Sequence, residues 1–218
     1  MLSTQEAILQ IFVEIDENDH FEKVLFIERN QNDIVKLEED QQAYLKFHYY
    51  HSLHEIGKYQ KVVESIDFLI EYVFLNNKRY EGESAFEPLL FIKAKSLRGL
   101  LRYDESIGVL EQLIGIQPFN TTYTTYLQRV YLDRLNFNAE SVKMTAVVLI
   151  FVSALICGSY WLIKSDSIQQ SNIPLFLAFL CPAILALVLL TGNFVFNRFK
   201  SKKRIRDIVK RKKIKYFE

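Results

Sequence analysis

Cysteine is nearly absent from this 218-residue chain: the two present, Cys157 and Cys181, both fall inside apolar runs. No disulfide framework and no zinc-type spacing can be built from them, so the polar part of the chain is expected in a reducing compartment. Proline (four) and glycine (seven) are scarce and fall where segments would end, as at Gly57, Gly82, Pro88 and Pro118. That scarcity disfavours a fold of many turns and strands. The glycine-rich phosphate loop, G-x-S-x-G and H-E-x-x-H are all missing, and the polar part has no cysteine nucleophile. An enzyme is therefore not expected, and no cofactor is implied. The first residues are acidic and lack the basic flank and cleavage site of a secretory signal.

Two long stretches lack charge instead. Met144–Ile163 lies between Lys143 and Lys164 with no charged residue, and a second apolar run follows at Ile173–Phe196. Twenty helical residues rise about 30 Å, the thickness of a bilayer's hydrocarbon core. The expectation is a transmembrane helical hairpin over 141–197 with spans 144–163 and 173–196. Lys and Arg are sparse in the polar link Lys164–Asn172 and abundant outside it, which puts both termini in the cytoplasm. The expected location is thus an integral membrane protein of two spans, in the inner membrane if the host is a bacterium. Tyr160 and Trp161 would sit at the outer interface, Pro174 would open the second span and Pro182 would kink it. Ala154 and Gly158 on the first run, and Ala178, Pro182 and Ala186 on the second, repeat every four residues and would form a packing seam. The plain use of that seam is packing of the two spans on each other; the sharper use is a homo-oligomer. No ionisable side chain interrupts either run, which argues against a carboxylate-coupled transporter.

Net charge is +1 but unevenly spread. Residues 1–40 carry eleven acids against three bases, and residues 198–218 carry eleven bases against two acids. Within that tail, Lys200, Lys202, Lys203, Arg204, Arg206, Lys210, Arg211, Lys212 and Lys213 are expected to adhere to anionic lipid. Nucleic acid is the less favoured partner, because topogenic charge already explains basic residues beside a span. Ile205, Ile208 and Val209 would form one apolar strip if the second span continued as a helix.

From Thr4 to Phe137 the apolar residues keep helical spacing, as in Ile8, Ile11, Phe12 and Ile15. Glu87–Asn120 is a 34-residue unit in which Tyr103-Asp104-Glu105-Ser106-Ile107 opens a second helix, Leu110 and Leu113 continue it, and Pro118 ends it. Ala94 and Leu97 are its first-helix packing positions. This unit resembles a tetratricopeptide repeat, whose turn reads Tyr-Asp-Glu-Ala-Ile; where that family often has glycine before the tyrosine, this chain has Leu101. Gly57-Lys58-Tyr59 aligns a second unit over Ala43–Leu75, with Tyr50 at the small position. Phe21 marks a more divergent first unit over Gln5–Glu38, and Phe137 a fourth whose second helix runs into the first span. The fold expected is all-α: a repeat array over 1–140, the hairpin, and a basic tail over 198–218.

The resemblance implies a groove lined by first-helix residues: Tyr44, Phe47, His51, His54 and Glu55, then Phe91, Lys95 and Arg98, then Thr125, Arg129 and Asp133. Lys95, Arg98 and Arg129 would grip a protein or acidic peptide, with Phe47 and Phe91 giving apolar contact. The bland alternative is a solvated face. His48, His51 and His54 at i, i+3, i+6 drift around a helix, so a metal site is not expected there. Two functions follow as expectations. One is a membrane-anchored interaction module that recruits a partner to the bilayer. The other is an oligomeric channel or pore-forming effector gated by the soluble helices; short bacterial defence effectors are broadly similar in pairing a sensor with two or more spans.

Overall fold

In the computed structural model, residues 4–80, 83–138, 140–164 and 173–217 are described. Side chains at 4–6, 80, 83, 138, 141–142, 157–164, 173–183, 185, 189–190, 193–194 and 214–217 lie outside that description. The fold is all-α apart from one two-stranded hairpin. In order come α1 (Thr4–Glu14), α2 (His20–Arg29), α3 (Gln31–Ile34), α4 (Glu39–Glu55), α5 (Tyr59–Leu75), β1 (Arg79–Tyr80) and β2 (Glu83–Ser84). Then follow α6 (Phe86–Gly99), α7 (Tyr103–Ile116), α8 (Thr121–Asn138), α9 (Glu140–Lys164) and α10 (Ile173–Phe217). The expected loop at Asn76–Phe86 closes on itself by antiparallel pairing of Arg79 with Ser84 and Tyr80 with Glu83.

The chain divides into two compact units, 1–130 with 208–218, and 131–207. In the first, helices pair as hairpins. α4 packs on α5 and α6 on α7, while α5 and α4 both reach α6, and α2 packs on α4. The apolar stripe of α5 (Val62, Ile66, Leu69, Val73) meets Leu53 of α4 and Leu89 and Ile92 of α6 in one core. A second core joins Ile8 and Phe12 of α1 to Ile27, Ile34, Leu37 and Leu45. Ala94 is fully buried, and its carbonyl accepts a 2.7 Å hydrogen bond from the equally buried Ser106 hydroxyl of α7. The small residue thus lets α6 and α7 approach, as its position in the sequence predicts. Tyr50, at the equivalent place on α4, is accommodated instead by donating its phenol to the Ser65 carbonyl at 2.9 Å.

The helix ends explain the hairpin turns. α4 stops at Gly57, φ +77°, where the Lys58 N–H donates to Leu53 O at 2.8 Å and the Gly57 N–H to His54 O at 3.0 Å. Paired bonds of this kind satisfy the orphaned carbonyls of a helix end and need a left-handed residue. α6 ends the same way at Leu101, φ +61°, with Arg102 N–H to Leu97 O and Leu101 N–H to Arg98 O, both 2.9 Å. α5 does so through Asn77, φ +47°. Leucine carries a Cβ penalty of about 1 kcal/mol in this conformation, whereas glycine does not. Leu101 is 57 % exposed, so little burial is lost on truncating it. Leu101→Gly is therefore expected to raise stability by about 0.5–1 kcal/mol and the melting temperature by about 2 °C, measured by circular dichroism.

Tyr59 and Phe21, which mark the second and first units, differ in their surroundings. Tyr59 does fill a gap: its ring lies so close to Gly99 of α6 that a Cβ there would meet it at 2.5 Å. Phe21 does not, being 66 % exposed at the start of α2. The short α3 intervenes after α2 and shifts the packing of the first hairpin away from a strict repeat.

In the second unit, the C-terminal turns of α8 precede α9 with one residue, 139, outside the description. α9 is unbroken from Glu140 to Lys164, so the sequence expectation of a helix running directly through Met144 is met along its length. α10 is a single helix of 45 residues. It carries the second apolar run and then the basic tail without interruption, so the tail is the end of a helix and not a separate segment. Ile205 and Ile208 are buried, as an apolar strip requires. At the far end, in the first unit, the Lys213 ammonium stands 4.6 Å from the Phe119 ring centre and Lys212 lies beside Gly115. Among the described residues no helix is long and apolar enough to cross a membrane. The link 165–172, and the side chains of Cys157, Tyr160, Trp161, Pro174 and Cys181, lie outside the description.

Candidate functional site

Three first helices, α4, α6 and α8, turn aromatic and imidazole side chains toward one another. A cavity of about 490 Å³ opens between α4 and α6, with Tyr44, Phe47, His48 and His51 on one side and Phe91, Ile92 and Lys95 on the other. Lys23 and Glu17 of the first hairpin close one end, and Ser84 and Ala85 another. Under the rim, Phe12 of α1 meets His48 at 5.6 Å and Tyr44 at 6.4 Å between ring centres. His51 stands edge-on to His20 of α2 at 5.3 Å. All four histidines of the chain thus belong to this region, since His54 follows one turn later, with its Nδ1 2.9 Å from the Ser96 hydroxyl of α6.

Five of the residues placed in the groove by sequence line this cavity: Tyr44, Phe47, His51, Phe91 and Lys95. His54 lies behind it, its ring tilted against Tyr59 with centres 5.3 Å apart. Arg98 is directed toward α8, its guanidinium 5.4 Å from the Tyr126 ring and donating to the Tyr126 hydroxyl at 3.4 Å. Arg129 sits with Thr125 and Tyr126 in a separate, shallower depression. The three expected cations therefore do not converge on one anion. Lys95 is the one that borders the cavity, and it stands 5.5 Å from the Phe91 ring and 3.7 Å from a carboxylate oxygen of Glu55. Lys23 is the cation that sequence reasoning missed. It is buried, with its ammonium donating to the Glu17 carbonyl at 2.9 Å. Nothing in the local sequence marks it, because its burial depends on α4 packing over α2. His48 was likewise read only as part of a metal trio. The trio faces three different environments, and among the described residues no three metal-binding side chains cluster.

Burial sets the charge of the imidazoles. His48 is held at a pKa of about 4, first by burial and then by the positive charge of Lys23 and of His51. His54 is lowered to about 4 by burial and by Lys95, against a small opposing pull from Glu55. His51 is lowered too, chiefly by burial, with Glu55 again opposing. The groove is therefore neutral imidazole and aromatic ring at pH 7, with Lys23 and Lys95 as its cations. In the unfolded chain the same histidines take up protons near pH 6.5, so folding is favoured above that pH and loses this contribution as pH falls toward 4. The melting temperature is expected to fall between pH 7.5 and pH 5. A His48→Phe/His54→Gln double variant is expected to show a shallower fall in the same circular dichroism series.

No family model, curated protein or solved structure matches this chain. The repeat-like features therefore stand on the residues and the helix pairing alone.

The seam residues are placed as follows. Ala186 is fully buried on α10, whereas Ala154 is exposed on α9. The buried small residues of α9 are Ala146 and Ser153, seven apart and so on one face. The side chains at Gly158, Ala178 and Pro182 lie outside the description. In the tail, Lys200, Lys202, Lys203, Arg204, Arg206, Lys210 and Arg211 are exposed, while Lys212 and Lys213 are half-buried.

Proposed function

We propose that the chain is a membrane-anchored interaction module: a tetratricopeptide-like array of helix pairs holds a partner in its groove, and α9 with the apolar part of α10 forms a transmembrane hairpin. The observation that carries the membrane half is the surface of α9. Met144, Val147, Val148, Ile150, Phe151, Val152, Leu155 and Ile156 are all exposed. At 100° per residue they wrap the helix except for the stripe of Ala146, Leu149 and Ser153. Ile184, Leu187, Val188, Val195 and Phe196 are exposed on α10 as well. Water rarely borders apolar surface of that extent, whereas lipid tails match it without cost. The Ser153 and Thr191 hydroxyls donate to the Leu149 and Leu187 carbonyls of their own helices at 2.7 Å, so neither is an unmatched donor on that apolar surface.

The partner half rests on the cavity between α4 and α6. Its aromatic walls suit an apolar or aromatic side chain, and Lys95 with the buried Lys23 suits an acidic neighbour in the same peptide. The test uses the full-length chain expressed in cells, with a photo-crosslinker at Phe47 and membranes washed in alkaline carbonate. The chain is expected in the pellet, with a discrete crosslinked partner that Lys95→Glu reduces at least fivefold. Recovery in the supernatant would sink the anchor. A crosslinking pattern unchanged by Lys95→Glu and by Phe91→Ala would sink the groove.

A further inference from the structure

A second cavity, of about 290 Å³, lies wholly within the 131–207 unit, between the last turns of α8 and the part of α10 just beyond the apolar run. Tyr131, Arg134 and Leu135 form one wall; Lys200, Ser201 and Arg204 form the other. Every polar side chain on these walls is a hydrogen-bond donor, three are cationic, and none is a carboxylate. One turn before Ser201 on the same face of α10 is Asn197, 6 % exposed, whose amide nitrogen Nδ2 has no hydrogen-bond partner. A buried amide donor left unmatched costs about 1–3 kcal/mol, so an acceptor beside it would be stabilising. Lys200 also leans on Phe196, its ammonium 5.8 Å from the ring centre. Phe196 is the last residue of the apolar run, so the donors gather where that run gives way to charge.

We propose that this pocket binds the phosphate of an anionic phospholipid headgroup. The ligand must offer several acceptor oxygens and negative charge at one point, which a phosphodiester does and a zwitterionic headgroup does less well, its charge being internally balanced. Two arginines supply planar forks for the oxygens and Lys200 supplies a point charge, while the unmatched Asn197 amide lies one helical turn away along α10. The proposal deepens the lipid role expected of the basic tail and rests on the membrane reading. It also departs from the sequence expectation of diffuse adhesion: a carpet of lysines would draw on all eleven bases alike, whereas a pocket draws on Arg134, which is not in the tail at all, and on Lys200 and Arg204.

The experiment is native mass spectrometry of the full-length chain in mild detergent, titrated in separate arms with phosphatidylglycerol, phosphatidylcholine and inorganic phosphate. One phosphatidylglycerol per chain is expected to bind in preference to phosphatidylcholine. Arg134→Gln/Lys200→Gln/Arg204→Gln is expected to weaken it by about 100-fold, from three basic contacts at roughly fivefold each. Lys202→Gln/Lys203→Gln/Lys210→Gln removes the same charge from positions that do not line the pocket and is expected to change it by less than about threefold. Circular dichroism checks that both variants are folded, and Arg134→Lys/Arg204→Lys is expected to recover part of the binding. Equal losses in the two triple variants would overturn the pocket in favour of diffuse charge. Tight, competing binding of inorganic phosphate would overturn the lipid as its ligand. A chain that leaves carbonate-washed membranes yet binds phosphate through the same three residues would sink the membrane reading while the anion site survived, so the two failures are distinguishable.

Discussion

With arginine in place of both Phe151 and Leu155, the chain is expected to be lost from carbonate-washed membranes, while the wild type stays in the pellet. These residues are 63 % and 59 % exposed on α9, near the middle of the uncharged run. If lipid surrounds them, each arginine costs about 2.5–3.5 kcal/mol at that depth, together about 5–7 kcal/mol, more than a single span has to spare. If water surrounds them, exchanging an exposed apolar side chain for arginine is worth within about 0.5 kcal/mol and improves solubility. The two solvents thus give opposite signs for one substitution pair. The measurement is the pelleted fraction by immunoblot. Wild type and variant behaving alike, both soluble and equally helical, would mean that α9 is an ordinary surface helix and that another chain covers it.

Leu110→Ala is expected to lower stability by about 2.5–5 kcal/mol and the melting temperature by about 10 °C. Leu110 has no exposed surface on α7. The neighbouring turn is fixed by the Ser106 bond to Ala94, so α7 is not free to slide into the space left behind. The cavity therefore stays open, which places the cost in the upper part of the range for such truncations. Thermal circular dichroism of the full chain in detergent measures it, and the carbonate pellet should be unaffected because α9 and α10 are untouched. A fall of less than about 2 °C would mean that α6 and α7 do not pack as a pair.

How much of this was legible beforehand depends on where each signal is stored. Tyr103, Ala94 and Leu110 sit at spacings that only make sense for two helices laid side by side, so the α6/α7 pair could be read from 34 residues. The Gly57 turn was equally plain, and the structure adds that Leu101 adopts the same left-handed conformation despite its Cβ. Local pattern does not say which neighbour arrives from far along the chain. Hence nothing in the local sequence shows that Phe21, which marks the first unit, is exposed, that Lys23 is buried, or that Ala154 is exposed on α9. The groove was half legible for the same reason. First-helix positions identify Phe47, Phe91 and Lys95, but the partners of Arg98 and Arg129 on α8 depend on how successive helix pairs are rotated. The pocket at Arg134 was invisible, because it needs α8 and α10 side by side and its two walls, 131–135 and 200–204, are some 65 residues apart in sequence.

The continuity of α10 has a mechanical consequence. Forty-five residues at 1.5 Å each make a rod of about 67 Å. No glycine or proline interrupts it after Gly192, so bending is not absorbed at any joint in its basic half. Tilting such a rod by ten degrees about one tip swings the other by about 12 Å. A push delivered near Arg206 would therefore be felt as leverage at Phe196, with no slack to dissipate it on the way.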